Sequence, residues 1–366
     1  PDKIYKVRDS AIITFILLMF PWYCGGQSYF LTNYTTRNGI AHDNIRDIAK
    51  DSTGFIWLAT WDGLTRYDGY EFKNYFHIPG DTTTIPYFSV EKLFVDCTNR
   101  LWLITDNYQL SCYDRSSDKF IRINSLGGVL LNYIAGMEIG PDKNLYIITA
   151  DKLIVYNPND NSTLLYKTDE FPQENRNNRY QIIFDPDNQI WLFWDGKILK
   201  TELIRSPGDK IGFVKCLKKI RIKSFSEEKR KFYDFYREFK IIEDVNSENW
   251  LISNTGIFRY DKKDDIFIDY KGDLSSLRFD REKPFSFFSP GKGLFIYIPG
   301  NKNLVNVPEN KCNLPQKIYI QSNNLIWFSS ISSEGTSMGL YKITIAPDIF
   351  HNLITGSEDD HNVSVY

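Results

Sequence analysis

Histidine, a common residue of catalytic and metal centres, is scarce in this 366-residue sequence. The chain contains four histidines, and they show no metal-ligand spacing. Phosphate-binding glycine loops, nucleophile elbows and kinase motifs are also missing. The net charge of −2 implies no general attraction to nucleic acid. We therefore expect no cofactor, no metal site and no direct contact with nucleic acid.

Cysteine is scarce as well, with five residues in the chain. Cys97 and Cys112 fall in one repeat, on strands or turns separated by a third strand. Two strand spacings, about 10 Å, exceed the reach of a disulfide. Cys216 and Cys312 lie in distant connections, so the sequence predicts no disulfide framework.

Hydrophobic runs of ten residues or so are absent except for Ala11–Phe20. This run follows a basic stretch and precedes Cys24-Gly-Gly-Gln27. This order is typical of a secretory signal, and the run is too short for a confident membrane span. We predict a signal peptide over 1–26, cleaved before Gln27, and a periplasmic mature chain without a membrane span. An uncleaved anchor and a lipoprotein attached through Cys24 are the alternatives.

The most informative stretch is Asp51–Gly69, which reads as a turn, a strand, a second turn and a second strand. Phe55–Thr60 is a short run of strand formers. The Asp-Gly pair at Asp62 favours the positive φ of a tight hairpin. A buried strand is therefore followed directly by its antiparallel neighbour.

This unit recurs along the chain at a spacing of about 45 residues, with a large aromatic residue at a fixed place in each copy. The markers are Trp57, Trp102, Tyr146, Trp191, Trp250, Phe295 and Trp327. The copy around Phe295 is degenerate, and we expect it to be the least regular. Several short strands per repeat predict an all-β fold: a seven-bladed β-propeller of four-stranded antiparallel blades.

The segment Gly54-Phe-Ile-Trp-Leu-Ala-Thr60 with Gly63-Leu-Thr-Arg-Tyr-Asp-Gly69 closely resembles the two-component-regulator propeller repeat. The resemblance extends over roughly residues 28–345. It implies the periplasmic, ligand-sensing half of a hybrid two-component system of Bacteroides-type bacteria. It further implies an oligosaccharide ligand and a homodimeric parent anchored in the inner membrane. The chain itself would not be an enzyme, because the kinase and regulator segments of the family are absent from it.

Both ends of the predicted propeller carry strand patterns of their own. Ser28–Tyr34 resembles the outer strand of later repeats but has no inner strands before it. We expect it to close the ring beside Gly339–Ile343, in a propeller spanning 27–345; a loose tail is the alternative. Residues 346–366 echo the entry to the first repeat, which predicts the start of a second, missing propeller.

The marker aromatics have a structural explanation. Blades are covered on both faces, so their strands are nearly all apolar and the tryptophans are expected to pack between blades. The repeated Asp before each marker is expected to form a turn rather than act as a catalytic acid.

Other aromatics lie where the repeat does not require them, in the turn that follows the marker strand. Equivalent turns gather on one face of a propeller, and an exposed aromatic beside a carboxylate or amide suits a sugar. Aromatics that cap the neighbouring blade are the alternative. The candidate ligand-binding residues are Trp61, Asp62, Asp106, Asn107, Tyr108, Trp194 and Asp195.

A second candidate region is the insert at 201–238, which is rich in Lys, Arg and aromatic residues. It could bind an anionic glycan or a partner domain, or be a solvated outer hairpin. Two other functions stay open. A glycoside hydrolase or polysaccharide lyase would need paired carboxylates above the channel, and a protein-interaction scaffold would need only the fold.

Overall fold

The computed structural model describes residues 29–131, 133–149, 152–167, 180–194, 197–207, 209–222, 239–244, 248–253, 256–261, 263–264, 266–270, 284–289, 291–299 and 304–345. The predicted signal at 1–26 and the segment 346–366 lie outside these residues. The described part is built almost entirely of short antiparallel strands.

The strands fall into groups in chain order. Strand β1 (Tyr29–Tyr34) precedes a 3-10 turn at Thr36–Asn38. Group one contains β2 (Ile45–Lys50), β3 (Ile56–Thr60), β4 (Gly63–Tyr67) and β5 (Phe72–Tyr75). Group two contains β6 (Val90–Val95), β7 (Leu101–Thr105), β8 (Leu110–Asp114) and β9 (Lys119–Ile123). A separate hairpin, β10 (Ser125–Leu126) and β11 (Val129–Leu130), leads to group three.

Groups three to five also have four antiparallel strands each. Group three contains β12 (Gly136–Ile139), β13 (Leu145–Ile148), β14 (Lys152–Tyr156) and β15 (Thr163–Lys167). Group four contains β16 (Gln181–Phe184), β17 (Ile190–Trp194), β18 (Lys197–Ile204) and β19 (Ile211–Ile222). Group five contains β20 (Phe239–Glu243), β21 (Asn249–Ser253), β22 (Gly256–Asp261) and β23 (Ile266–Asp269).

The last two groups complete the described chain. Group six has three described strands, β24 (Phe285–Ser289), β25 (Gly293–Tyr297) and β26 (Val305–Val307), which agrees with the expected irregularity around Phe295. A one-turn helix α1 (Glu309–Cys312) follows. Group seven contains β27 (Leu314–Ser322), β28 (Leu325–Ile331) and β29 (Ser337–Ile345), and its fourth strand is β1.

The pairing of β1 with β29 joins the two ends of the described chain. The antiparallel register runs from Tyr29 against Ile345 to Tyr34 against Leu340, and it includes 340–343 of the predicted partner segment 339–343. The Asn33 amide donates to the Met338 carbonyl oxygen at 2.8 Å. The N-terminal strand is thus the outer strand of the last group, and the predicted pairing is present.

Hydrophobic clusters fill the spaces between consecutive groups, and one cluster joins group seven to group one. In that cluster Trp327 packs with Ile45 and Leu58. The first strands lie side by side as well, because Asp47 on β2 accepts from the Leu93 backbone amide on β6 at 2.8 Å and pairs with Lys317 on β27 at 2.7 Å. Each group is therefore covered by its neighbours.

Buried strands explain the apolar runs of the sequence. All five residues of β3 and all five of β7 are buried. Trp57 packs against residues of group two, and Trp102 packs against residues of group three. The prediction that the marker tryptophans pack between neighbouring strand groups is confirmed.

The repeated aspartates do more than form turns. Asp51 Oδ1 accepts from the backbone amides of Thr53 and Phe55, while its Oδ2 accepts from Trp57 Nε1 at 2.7 Å. The same indole contact occurs in four later groups. The pairs are Asp96 with Trp102, Asp185 with Trp191, Asp244 with Trp250, and Gln321 with Trp327.

Group four departs from the regular plan at its outer strand. The 12-residue β19 pairs with β18 on one edge, and its two ends pair in parallel with β15 and β23 of the neighbouring groups. This strand belongs to the predicted basic insert. Phe213 of the insert lies on β19, whereas the cluster of aromatic residues at 232, 233, 235 and 236 lies outside the described residues.

Candidate functional site

Three segments meet where groups one and two adjoin. They are the β3–β4 turn at 61–62, the segment 87–89 that leads into β6, and the β7–β8 turn at 106–109. The Phe88 carbonyl accepts from Gly63 N at 2.6 Å, and the Ser89 carbonyl accepts from Asp106 N at 3.2 Å. The two predicted turns are thus joined through 87–89, and we call the three segments together the Trp61 surface.

Glycine at 63 is required for this arrangement. Its φ is +101°, and a Cβ atom there would lie 2.8 Å from the Tyr75 carbonyl oxygen and 3.0 Å from the Phe76 ring. A larger residue would push the turn away from its neighbours. The Asp-Gly pair therefore sets the position of the Trp61 side chain.

The Trp61 side chain is exposed, whereas the other described tryptophan side chains are buried. Trp61 is 42% exposed, whereas Trp57 four residues earlier is 0% exposed. The Arg46 guanidinium lies 4.3 Å from the centre of the Trp61 ring. One face of the indole is therefore covered by a cation, and the exposed remainder of the ring can serve as a platform for a ligand.

Arg46 also connects Trp61 to the second turn. Its Nη1 atom lies 2.5 Å from Glu91 Oε2 and 2.7 Å from Asp106 Oδ1. The Arg46 side chain is 4% exposed, and those of Glu91 and Asp106 are 8% and 22% exposed. Burial alone would raise the pKa of Asp106, but its contacts with Glu91, Arg46 and Ser89 lower the pKa overall. Asp106 is therefore a carboxylate at neutral pH.

The other predicted residues of these turns have different surroundings. Asn107 is exposed, and its Oδ1 accepts from Thr105 Oγ1 at 2.6 Å. Tyr108 is half-buried with φ +64°, and its ring packs 4.3 Å from that of Tyr133. Asp62 is exposed beside Trp61. Trp61 and Asp106 are thus brought together through Arg46, whereas Tyr108 turns towards Tyr133.

The side chains of the two candidates in the fourth repeat are not described. Trp194 ends β17, but its side chain lies outside the described part of the chain, as does Asp195. Whether they share a surface with Trp61 therefore stays a prediction.

Sequence reasoning missed Arg46, Glu91 and Phe88. Arg46 and Glu91 lie on the first strands of their groups and are 45 residues apart, the period of the repeat. A charge that recurs at equivalent inner-strand positions was the available signal. Phe88, which is 39% exposed and packs on Tyr87, lies in a connection where the repeat gives no guidance.

A groove of about 480 Å³ lies elsewhere, on the outer strands of group five. Its lining includes Glu248, Arg259, Asp261, Asp269 and Tyr270, and none of these residues was predicted. Arg259 pairs with Glu248 at 2.6 Å, so part of its charge is neutralised within the groove.

The described residues include neither a candidate metal centre nor a candidate membrane-spanning helix. They contain no group of His, Cys, Asp or Glu side chains that could hold a metal ion. No helix among them is long and apolar enough to cross a bilayer. The four described cysteines, Cys97, Cys112, Cys216 and Cys312, form no disulfide with one another.

A known protein family matches the part of the chain that contains Arg46 and Trp61. The family described as "Two component regulator propeller" matches residues 39–62, which include Arg46, Trp57 and Trp61. Histidine kinase P4 of Formosa agariphila is 31% identical over 75 residues. That match covers 20% of this chain and 6% of the kinase, so the chain spans a small part of its curated relative.

Solved structures extend the likeness to most of the chain. The extracellular domain of a protein described as a hybrid two component system of B. thetaiotaomicron matches with a TM-score of 0.56 at 17% identity. The match covers 87% of this chain and 42% of that one. Virginiamycin B lyase of Staphylococcus aureus matches with a TM-score of 0.51 at 14% identity, over 87% and 100% of the two chains.

These identities are low, so the structural likeness shows a propeller-like, all-β fold and not an activity. Together with the family match, it confirms the resemblance to two-component-regulator propellers.

Proposed function

We propose that residues 27–345 form a closed seven-bladed β-propeller that senses an oligosaccharide as part of an exported two-component sensor. The seven strand groups would be the blades, and the pairing of β1 with β29 would close the ring. The cluster that joins groups seven and one supports closure, since it is apolar and buried like the clusters between consecutive groups.

The observation that carries the ligand assignment is the exposure of Trp61. Its ring is 42% exposed and is held by Arg46, whereas the repeat markers of the same chain are 0–9% exposed. An aromatic platform bordered by Asp62, Asp106 and Asn107 offers a ring for the CH face of a sugar and acceptors for its hydroxyl groups. Asn107 can also donate.

The signalling role follows from the family resemblance alone. In a full-length parent anchored in the inner membrane, ligand binding would bias the geometry of a homodimer and thereby the activity of a kinase segment. A periplasmic location after removal of the signal at 1–26 belongs to the same proposal.

A propeller enzyme is the second candidate, and Glu91 with Asp106 is the observation that favours it. Both acidic side chains contact Arg46 Nη1, at 2.5 and 2.7 Å, so two carboxyl groups lie close together, as the chemistry of glycosidases requires. However, the buried guanidinium fills the space between them, where a glycosidic bond would have to lie. We therefore favour binding over hydrolysis, and a sugar-release assay with the purified protein tests this choice.

The binding role can be tested with a glycan array followed by titration of any glycan that binds. Trp61→Ala should weaken binding at least about tenfold, because stacking on the indole is lost. The matched control is Tyr70→Ala, since Tyr70 is an aromatic residue that is 93% exposed on the β4–β5 turn.

The outcome that contradicts the proposal is equally clear. If Trp61→Ala binds as well as the parent protein, the sugar site lies elsewhere, and the group-five groove and the insert at 201–238 become the next candidates. If no glycan binds, the sensor ligand is not a carbohydrate of the array.

A further inference from the structure

The charge of the Trp61 surface restricts which sugars it can take. Acidic sugars, with a carboxylate or a sulfate group, are usually bound by an accessible Arg or Lys side chain. Arg46 is the cation closest to Trp61, but its side chain is 4% exposed and its Nη1 atom contacts two carboxylates. Arg46 is therefore buried and paired through Nη1, although its Nε atom has no recorded hydrogen-bond partner, so burial rather than full pairing keeps it from an acidic ligand.

The three segments of the Trp61 surface contain no Lys, Arg or His residue. Segment 61–62 contributes Asp62, segment 87–89 contributes no charged residue, and segment 106–109 contributes Asp106. Asp62 is exposed, and the Asp106 side chain retains 22% exposure. The cation recorded beside them, Arg46, is buried with Glu91, so the accessible charge of the three segments is negative.

The Trp61 indole can bind a sugar that has no charge. The guanidinium of Arg46 lies on one face of the Trp61 ring, so a ligand must approach the remaining exposed part of the ring. Stacking of a pyranose CH face on an indole needs no charge on the sugar. A carboxylate or sulfate brought to that position would meet Asp62 and Asp106 without a free cation to offset them.

We propose that the Trp61 surface selects sugars without acidic groups, and that Asp62 contributes directly to the rejection of uronic acids and sulfated sugars. This inference rests on the proposed sugar-binding function. Its physical basis is repulsion between like charges, which acts at this partly exposed site and is screened by salt.

The experiment uses the full chain and oligosaccharides matched in length and linkage, in which uncharged hexoses are replaced by the corresponding uronic acids. At low salt the uncharged series should bind about tenfold more tightly than the acidic series. High salt should narrow this difference and leave binding of the uncharged series unchanged.

Asp62→Asn is the test variant, because it removes one accessible carboxylate and keeps the shape of the side chain. It should raise the affinity for the acidic series several-fold relative to the affinity of the same variant for the uncharged series. Asp68→Asn is the matched control, since Asp68 is an exposed turn residue that accepts from the Tyr70 and Glu71 amides on the β4–β5 turn. It should change neither series.

Equal or tighter binding of the acidic series to the parent protein would overturn the selectivity while leaving sugar sensing intact. An Asp62→Asn variant with unchanged selectivity would overturn the role of Asp62. A protein that binds neither series would contradict the proposed function itself, and this inference with it.

Discussion

Asp51 accepts a hydrogen bond from Trp57 Nε1 across the turn that precedes β3, with an oxygen-to-nitrogen distance of 2.7 Å. The Asp51 carboxylate also pairs with Arg115 of group two at 3.0 Å. Burial alone would raise the pKa of Asp51, but the contacts with Thr53, Trp57 and Arg115 lower it overall. One side chain thus fixes a turn, an indole and a contact between neighbouring groups.

Removing this carboxylate should destabilise the protein. We expect Asp51→Ala to lower the free energy of unfolding by about 2–3 kcal/mol, because a buried indole donor loses its acceptor. Asp51→Asn should cost less, since Gln321 shows that an amide oxygen can accept from the indole of Trp327 at 2.9 Å. Denaturant unfolding measures both changes.

The control for this variant is Asp114→Ala. Asp114 accepts from Ser116 in an exposed turn and has no indole partner among its recorded hydrogen bonds. A loss as large as that of Asp51→Ala would show that turn formation, rather than the indole contact, accounts for the stability.

Truncation to alanine should lower the free energy of unfolding much more at Trp57 than at Trp61. Trp57→Ala should cost about 3–5 kcal/mol of unfolding free energy, because it leaves a cavity in a fully buried cluster. Trp61→Ala should cost less than about 1 kcal/mol, because the residue is 42% exposed. Denaturant unfolding compares them, and similar losses would mean that Trp61 has a structural rather than a binding role.

The N-terminal strand should contribute strongly to stability. Deletion of residues 28–35 removes the outer strand of group seven and the Tyr34 ring, which lies 6.3 Å from Trp327 and 5.9 Å from Tyr67. The melting temperature should fall sharply. Phe30→Ser is the control, because Phe30 is 69% exposed and should change the melt little. An unchanged melt after the deletion would show that the ring does not depend on β1.

A pH-dependent contribution is expected from Asp118. Its carboxylate accepts from the Tyr75 and Tyr113 hydroxyls at 2.7 and 2.5 Å and pairs with Lys73. Burial alone would raise the pKa of Asp118, but these contacts lower it to about 2. A carboxyl whose pKa is lower in the folded state stabilises the protein above its unfolded value of about 3.9. This contribution is lost as the pH falls from about 4 towards 2.

The matched variant is Asp118→Asn, because asparagine tolerates the φ of +56° at this position. The parent protein should melt at a higher temperature than the variant near neutral pH, and the difference should shrink between about pH 4 and pH 2. A difference that is the same at both ends of this range would rule out the titration of Asp118 as its source.

Much of the fold could be read from the chain because the repeat is local. The spacing of the marker aromatics and the turn residues before them predicted the seven marker strands, including β25 in the irregular group around Phe295. The likeness of Ser28–Tyr34 to later outer strands predicted β1. The site could be read only in part. Trp61 was found because it departs from the repeat, but its partner Arg46 lies within a strand and resembles an ordinary repeat residue.

Asp106 illustrates the same limit. Its place in a turn was predicted, whereas its contact with Arg46 joins residues 60 positions apart. No local pattern encodes a pair that forms only when two strand groups come together.

The sequence by itself determined the strand-turn period, the apolar character of the strands and the aspartate that precedes four of the marker tryptophans, because these depend on residues within one repeat. Only the tertiary structure decided which aromatic is exposed and which charges are neutralised. Exposure and ion pairing depend on what the adjacent group places beside a residue. Trp57 and Trp61 lie four positions apart, yet the neighbouring strands bury the first and leave the second open to solvent.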